Sequence, residues 1–215
     1  MSADGRLPMA FPTRLPVPAG TSPFHIKGSA YKGLRSRQVK PVPGGLERVL
    51  EVIDDPVARE FLGQHFMANQ WYDYLPVLLL AGAAIAVTGR PAEEYVTEGA
   101  TLHAENDLRG VYTVLLFFTS PETAMRRMPI VHRQYFDFGS TEVRIVEKGV
   151  AETVISGWPA IAAPFFQLYT TEFVHRLLVL SGGKDPQARW AKPEPDGEKA
   201  GIPLFRLRVR TTWNR

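Results

Sequence analysis

Residues 101–139 read TLHAENDLRGVYTVLLFFTSPETAMRRMPIVHRQYFDFG, and this stretch decides the expected fold. It holds an apolar run at residues 111–118, a polar break at 119–121, and then apolar residues that repeat near the 3.6-residue period. That period is typical of a helix with one buried face. An aromatic cluster and Gly139 close the stretch. We therefore predict two core helices with an elbow at Pro121, which lead aromatic side chains to the edge of a sheet.

Length and composition indicate one globular domain. The chain has 215 residues, of which 45% are hydrophobic and 22% charged, as in ordinary folded proteins. It has no cysteine, which excludes disulfides, thiolate metal sites and cysteine catalysis. No secretory signal is recognisable, and the longest apolar run, residues 75–87, is shorter than the roughly 20 residues that span a bilayer. We expect a cytoplasmic protein with a flexible N-terminal arm at residues 1–21 and one domain at 22–215.

The hydrophobic period changes from 3.6 to 2 residues after Gly139, which predicts an antiparallel hairpin of residues 141–147 and 150–155. Helices are predicted at residues 29–38, 46–53, 56–66, 75–88, 91–106 and 163–180, where residues 54–56 stop the second helix and start the third. Further strands are predicted at 24–28 and 204–211, and loops at 69–74 and 183–201. The predicted class is therefore α+β, with helices packed on a small antiparallel sheet in a single domain.

The histidines are the obvious candidates for metal or haem ligands. No two of them have the i,i+4 spacing of a helical metal site, and no HExxH motif occurs. His103 shares the inner face of its predicted helix with Val96, so it is the best ligand candidate, although a hydrogen-bonded core histidine would occupy the same position. His132 lies near a predicted helix end, where a cation suits the helix dipole. His175 is expected to point outward into solvent.

Catalytic motifs are missing from the sequence. It contains no GxSxG, Walker A or GxGxxG pattern. Its paired carboxylates, such as Glu93 with Glu94, fall at predicted helix ends or faces, where helix polarity explains them. Without a nucleophile–base pair or a metal cluster, the sequence favours a protein that is not an enzyme.

Aromatic side chains from several predicted elements can converge on one apolar space. A filled core would use them in close packing, whereas an open pocket would suit a flat or acyl-like ligand. The residues predicted to line such a pocket are Trp71, Tyr72, His103, Phe117, Phe118, Tyr135, Phe136, Phe166 and Tyr169.

Positive charge collects at both ends of the chain, although the net charge is only +3. Alternation in the last predicted strand places Arg206, Arg208 and Arg210 on one face. Such a row could bind phosphate, nucleic acid or an acidic protein, or could simply be a solvated outer face. No recognised nucleic-acid motif accompanies it, so nucleic acid is not the expected partner.

The order of these features resembles a known family. The features are IKG at residues 26–28, WY at 71–72, Gly99, TSPxxxMxxMP at 119–129, the hairpin after Gly139 and a final strand that reaches Trp213. Over residues 22–213 the chain resembles an uncharacterised myxobacterial paralogous family. That family is related to the haem–nitric-oxide-binding, four-vinyl-reductase and TRAPP ligand-binding superfamily.

The resemblance implies an α+β fold in which helices and an antiparallel sheet surround an apolar pocket. Members of the superfamily hold haem, fatty acyl groups or small apolar molecules, and several are dimers. Its haem-binding members use a proximal histidine and a Tyr-x-Ser-x-Arg motif for the propionates. This sequence has no Tyr-x-Ser-x-Arg, and the resemblance therefore does not extend to the propionate site.

Three functions follow as hypotheses. The first is a non-enzymatic ligand-binding or sensory domain for a small apolar molecule, which forms a homodimer. The second is an adaptor that docks an acidic protein through the basic arm and the arginine row of residues 206–210. The third is a haem-based gas sensor that uses His103.

Overall fold

The computed structural model describes residues 2–109 and 120–214, without the side chains of residues 107–109. The predicted core helix at 111–118, with Phe117 and Phe118, lies outside the described residues. Within them the chain is α+β, as predicted, and helices pack against antiparallel sheets. No helix in the described ranges is both long and apolar enough to cross a membrane.

The N-terminal half is mainly helical. Its elements are β1 (His25–Lys27), α1 (Gly28–Leu34), a π-helical turn (Arg35–Val39), α2 (Gly45–Glu51), α3 (Pro56–Gly63), β2 (Trp71–Asp73), α4 (Pro76–Thr88) and α5 (Ala92–Arg109). The loop predicted at residues 69–74 is wrong, because β2 pairs antiparallel with β1. A strand of three residues is too short to show the alternation that sequence patterns depend on.

The C-terminal half contains the larger sheet. Its elements are α6 (Pro121–Tyr135), β3 (Ser140–Glu147), β4 (Val150–Pro159), α7 (Ala163–Leu180), β5 (Lys184–Trp190), β6 (Glu194–Lys199) and β7 (Ile202–Asn214). The sheet order is β3-β4-β7-β5, and β6 also pairs with β7. The long last strand therefore organises the sheet, because three other strands pair with it.

Helix boundaries follow the capping residues of the sequence. The Ser120 side chain accepts a hydrogen bond from the Thr123 amide at 3.2 Å, and Pro121 occupies the first turn of α6. Gly89 ends α4 in the left-handed region, with φ of 65°. The predicted helix start at Pro121 and the predicted end of α4 are both confirmed.

Prolines and a glycine led to two wrong predictions in the sheet. Residues 183–201 were expected to be a loop because of their prolines, yet they contain β5 and β6. Their prolines lie next to irregularities in pairing, where a missing N–H is tolerated. Likewise β4 does not end before Gly157 but passes through a bulge there, with φ of 70° at that glycine.

The main core is aromatic and centres on Trp158, which is completely buried. Its ring stacks on Phe166 with centroids 3.6 Å apart, and edge contacts come from Tyr74 and Phe136. These four residues belong to or follow α7, β4, β2 and α6, so the sheet and helices share one interior.

The described part of the N-terminal arm contacts the body of the protein. The Leu7 amide donates to Gln167 Oε1 at 2.8 Å, and the Trp190 amide donates to the Asp4 carbonyl at 2.8 Å. The buried Asp73 carboxylate accepts from the Gly20 amide at 2.8 Å. The flexibility expected for residues 1–21 stays a prediction beside these contacts.

Candidate functional site

A cavity of about 140 Å³ lies between the sheet and helices α5, α6 and α7. Most of the side chains that line it are apolar. They include Ile26, Leu34, Val77, Met125, Met128, Val131, Ile155, Phe165, Phe173, Val174 and Val209. Because these residues come from both halves of the chain, the cavity forms only in the folded protein.

One imidazole connects three helices in the cavity wall. His103 of α5 contacts the Tyr169 hydroxyl of α7 through Nδ1 at 2.6 Å and the Tyr135 hydroxyl of α6 through Nε2 at 3.1 Å. A tyrosine hydroxyl can donate or accept, so the two tyrosines can satisfy either neutral tautomer of the ring. All three residues line the cavity. They give it a polar patch whose geometry is fixed by helix packing.

The structure divides the predicted pocket residues into three groups. His103, Tyr135, Phe136, Phe166 and Tyr169 line the cavity together. Trp71 and Tyr72 do not line it, and Phe117 and Phe118 lie outside the described residues.

The positions of Trp71 and Tyr72 follow from the pairing of β2 with β1. Trp71 is 39% exposed, and the Lys27 ammonium lies over its ring, 3.8 Å from the centroid. The Tyr72 ring packs edge-on against Phe66, with centroids 4.8 Å apart, in an aromatic cluster with Tyr31. Trp71 and Tyr72 therefore make these ring contacts with residues that do not line the cavity.

The expected environments of two histidines are wrong. His132 is buried, and its ring contacts the Phe138 carbonyl at 2.8 Å and the Thr141 hydroxyl at 2.9 Å. Burial lowers its pKa, so it does not act as an exposed cation at the helix end. His175 is half-buried instead of solvated, and burial lowers its pKa as well.

Polar residues that the sequence did not identify also reach the cavity. Arg37 and Gln38 line it from the π-helical turn after α1, and Thr153 lines it from β4. A sequence signal for Arg37 existed, because Ala30, Leu34 and Arg37 are spaced as i, i+4 and i+7 on one helical face. The irregular π turn weakened that signal, since it departs from the 3.6-residue period.

The arginine row of β7 is paired with acids on the sheet surface. Arg206, Arg208 and Arg210 each contact a carboxylate, in turn Asp196 at 2.7 Å, Glu194 at 3.4 Å and Glu152 at 3.3 Å. The neighbouring strands therefore balance the positive charge of this face. The observation does not favour the adaptor hypothesis, which needs the row to attract an acidic partner.

Among the comparisons with known proteins, only the comparison of structures finds matches. No family model matches the sequence, and no curated protein matches it. Solved structures do match, and H-NOX domains are among them. The chain has the H-NOX fold.

An oxygen-binding H-NOX domain related to soluble guanylate cyclases, in its oxygen complex, is 15% identical, with a TM-score of 0.58 over 87% of this chain and 93% of that chain. A structure that concerns the molecular mechanism of H-NOX activation is 14% identical, with a TM-score of 0.61 over 87% of this chain and 94% of that chain. A mutant H-NOX protein of T. tengcongensis is 13% identical, with a TM-score of 0.59 over 88% and 98%. The H-NOX fold confirms the predicted α+β class and the fold that the resemblance implied.

Haem, which the superfamily resemblance implies, does not fit the described residues. Pockets for drug-sized ligands measure about 300–1,000 Å³, whereas the cavity measures about 140 Å³. Haem iron also needs an axial ligand such as a histidine nitrogen, and both nitrogens of His103 are engaged by tyrosine hydroxyls. In the part of the chain that the structure describes, no group of three or more His, Asp or Glu residues could hold a metal ion.

Proposed function

We propose that this chain is a non-enzymatic sensory domain that binds a small apolar molecule inside the H-NOX fold. The observation that carries the proposal is the mainly apolar cavity of about 140 Å³, which has a polar patch around His103. An engineered apolar cavity of about 150 Å³ in another protein stays dry and binds benzene or xenon. A ligand of that size is therefore the one that this volume supports.

The polar patch would give the site selectivity. Binding sites combine apolar walls with a few fixed polar groups that orient the ligand. The hydroxyls of Tyr135 and Tyr169 are held by the same imidazole, so a ligand that disturbs one of them also disturbs helices α5, α6 and α7. This linkage is the route by which occupancy would change the packing of the helices. A cytoplasmic location and self-association are further parts of the proposal.

Titration with toluene tests the proposed function. Ligand at about one hundred times its Kd stabilises a one-site protein by about 2.7 kcal/mol, which raises Tm by about 5–11 °C in a domain of this size. We expect such a rise, together with a 1:1 calorimetric isotherm. An unchanged Tm at saturating toluene would contradict the proposal.

Reconstitution with haemin tests the gas-sensor alternative separately. We expect no Soret band, because the cavity has too small a volume for haem and both nitrogens of each histidine in its described wall, His103 and His132, already have hydrogen-bond partners. A Soret band that is lost in His103→Phe would instead support the gas sensor.

A further inference from the structure

One permanent positive charge lies in the wall of the cavity. Arg37 is half-buried and belongs to the π-helical turn Arg35–Val39. Its neighbour Arg35 donates to the backbone carbonyls of Leu62 and Gln64. The ion pairs of the described residues include no carboxylate for Arg37. The two arginines of this turn therefore differ, because one is used by the fold and the other is available to a ligand.

Two glycines make room for the polar side chains of this turn. A Cβ atom on Gly33 would collide with the Arg37 guanidinium, and one on Gly99 would collide with the Gln38 amide. Gly99 lies one helical turn before His103 on α5. The side chains of Arg37 and Gln38 are thus packed closely against α1 and α5, at the end of the wall next to the His103 patch.

The described wall of the cavity carries positive charge without any acidic residue. Among the described residues that line the cavity there is no Asp or Glu. Thr153 adds a hydroxyl that is buried, at 7% exposure, and has no hydrogen-bond partner in the described structure. A buried hydroxyl without a partner costs free energy that a polar group of a ligand can recover.

We propose that the ligand is a small monocarboxylic acid, whose apolar body of about the size of a benzene ring fills the cavity and whose carboxylate pairs with Arg37. A planar guanidinium binds a carboxylate through two parallel hydrogen bonds. Gln38, on the same wall, supplies an amide donor. The inference rests on the proposed function, and it assigns the chemical class of the ligand.

Three probes of similar shape distinguish charge recognition from apolar binding. Benzoate, benzamide and toluene are titrated by calorimetry into the wild-type chain, Arg37→Met and Arg37→Lys. Arg59→Met is the matched control, because Arg59 is exposed on α3 and does not line the cavity. Far-ultraviolet circular dichroism verifies that each variant is folded.

We expect the wild-type protein to bind benzoate about tenfold more tightly than benzamide. A hydrogen bond to a charged group contributes enough free energy for a difference of that size. Arg37→Met should remove that preference, and toluene titrated into the same variant measures whether the apolar part of the cavity still binds. Arg37→Lys should keep part of the preference, because the charge remains while the planar fork is lost. Arg59→Met should behave as the wild type does.

The contrary results separate the two proposals. Toluene binding with no preference for benzoate, or a preference that survives in Arg37→Met, would overturn the carboxylate assignment alone. Failure of all three probes to bind would overturn the proposed function, and the carboxylate assignment with it.

Discussion

Filling the cavity with a side chain of the protein itself is the most informative perturbation. Ala30 lines the cavity from the middle of α1, and Ala30→Leu adds three carbon atoms at that point. An empty cavity costs about 24 cal/mol per Å³, so 140 Å³ costs the native state roughly 3 kcal/mol. Burial of three carbons recovers at most about 2.4 kcal/mol, and imperfect fit reduces this gain.

We therefore expect Ala30→Leu to raise the free energy of unfolding by about 1–2 kcal/mol, or Tm by about 2–8 °C, and to abolish toluene binding. Urea unfolding with and without toluene measures both effects. Ala86→Leu, at an exposed position of α4, controls for the substitution itself and should change neither property. A destabilised Ala30→Leu protein that still binds toluene would refute the reasoning, because it would show that the cavity is not where the probe binds.

Three further predictions concern the framework around the cavity. Trp158→Ala should cost about 3–5 kcal/mol in urea unfolding, because it removes a fully buried ring; a cost under 1 kcal/mol would contradict the aromatic core. The free energy of unfolding should fall as pH decreases below about 6.5. Burial lowers the pKa values of His132 and His175 below the ordinary value of 6.5. In this pH range the unfolded chain therefore binds protons that the folded chain does not, and protonation favours unfolding. His175→Gln should flatten this pH dependence in thermal melts, and an unchanged slope would count against it. Arg208→Ala should change stability by less than about 1 kcal/mol, because its pair with Glu194 is solvent-exposed.

Helices with strong periodicity and clear caps could be predicted from the sequence. Helix α7 was predicted at 163–180 and occupies Ala163–Leu180, because its apolar residues and the glycines after it all indicate the same boundaries. The end of α4 at Gly89 and the start of α6 at Pro121 were predicted from residues whose backbone chemistry allows few alternatives.

Features that depend on partners distant in the sequence could not be predicted in this way. Strand β6 contains a proline and a glycine, which disfavour strands, and it is a strand only because it pairs with β7. His175 is half-buried and lies within electrostatic range of Arg6 and Asp4, which are far away in the sequence. Arg37 enters the cavity wall through a π turn that the helical period does not describe.

The most direct test of the cavity is a crystal of the protein exposed to pressurised xenon, an atom that occupies dry apolar cavities of this size. We predict a xenon atom between the sheet and helices α5, α6 and α7, in contact with Phe166 and near the Tyr135 ring. Absence of xenon from that position, with xenon bound elsewhere in the same crystal, would contradict the claim that this fold contains a site for a small apolar ligand.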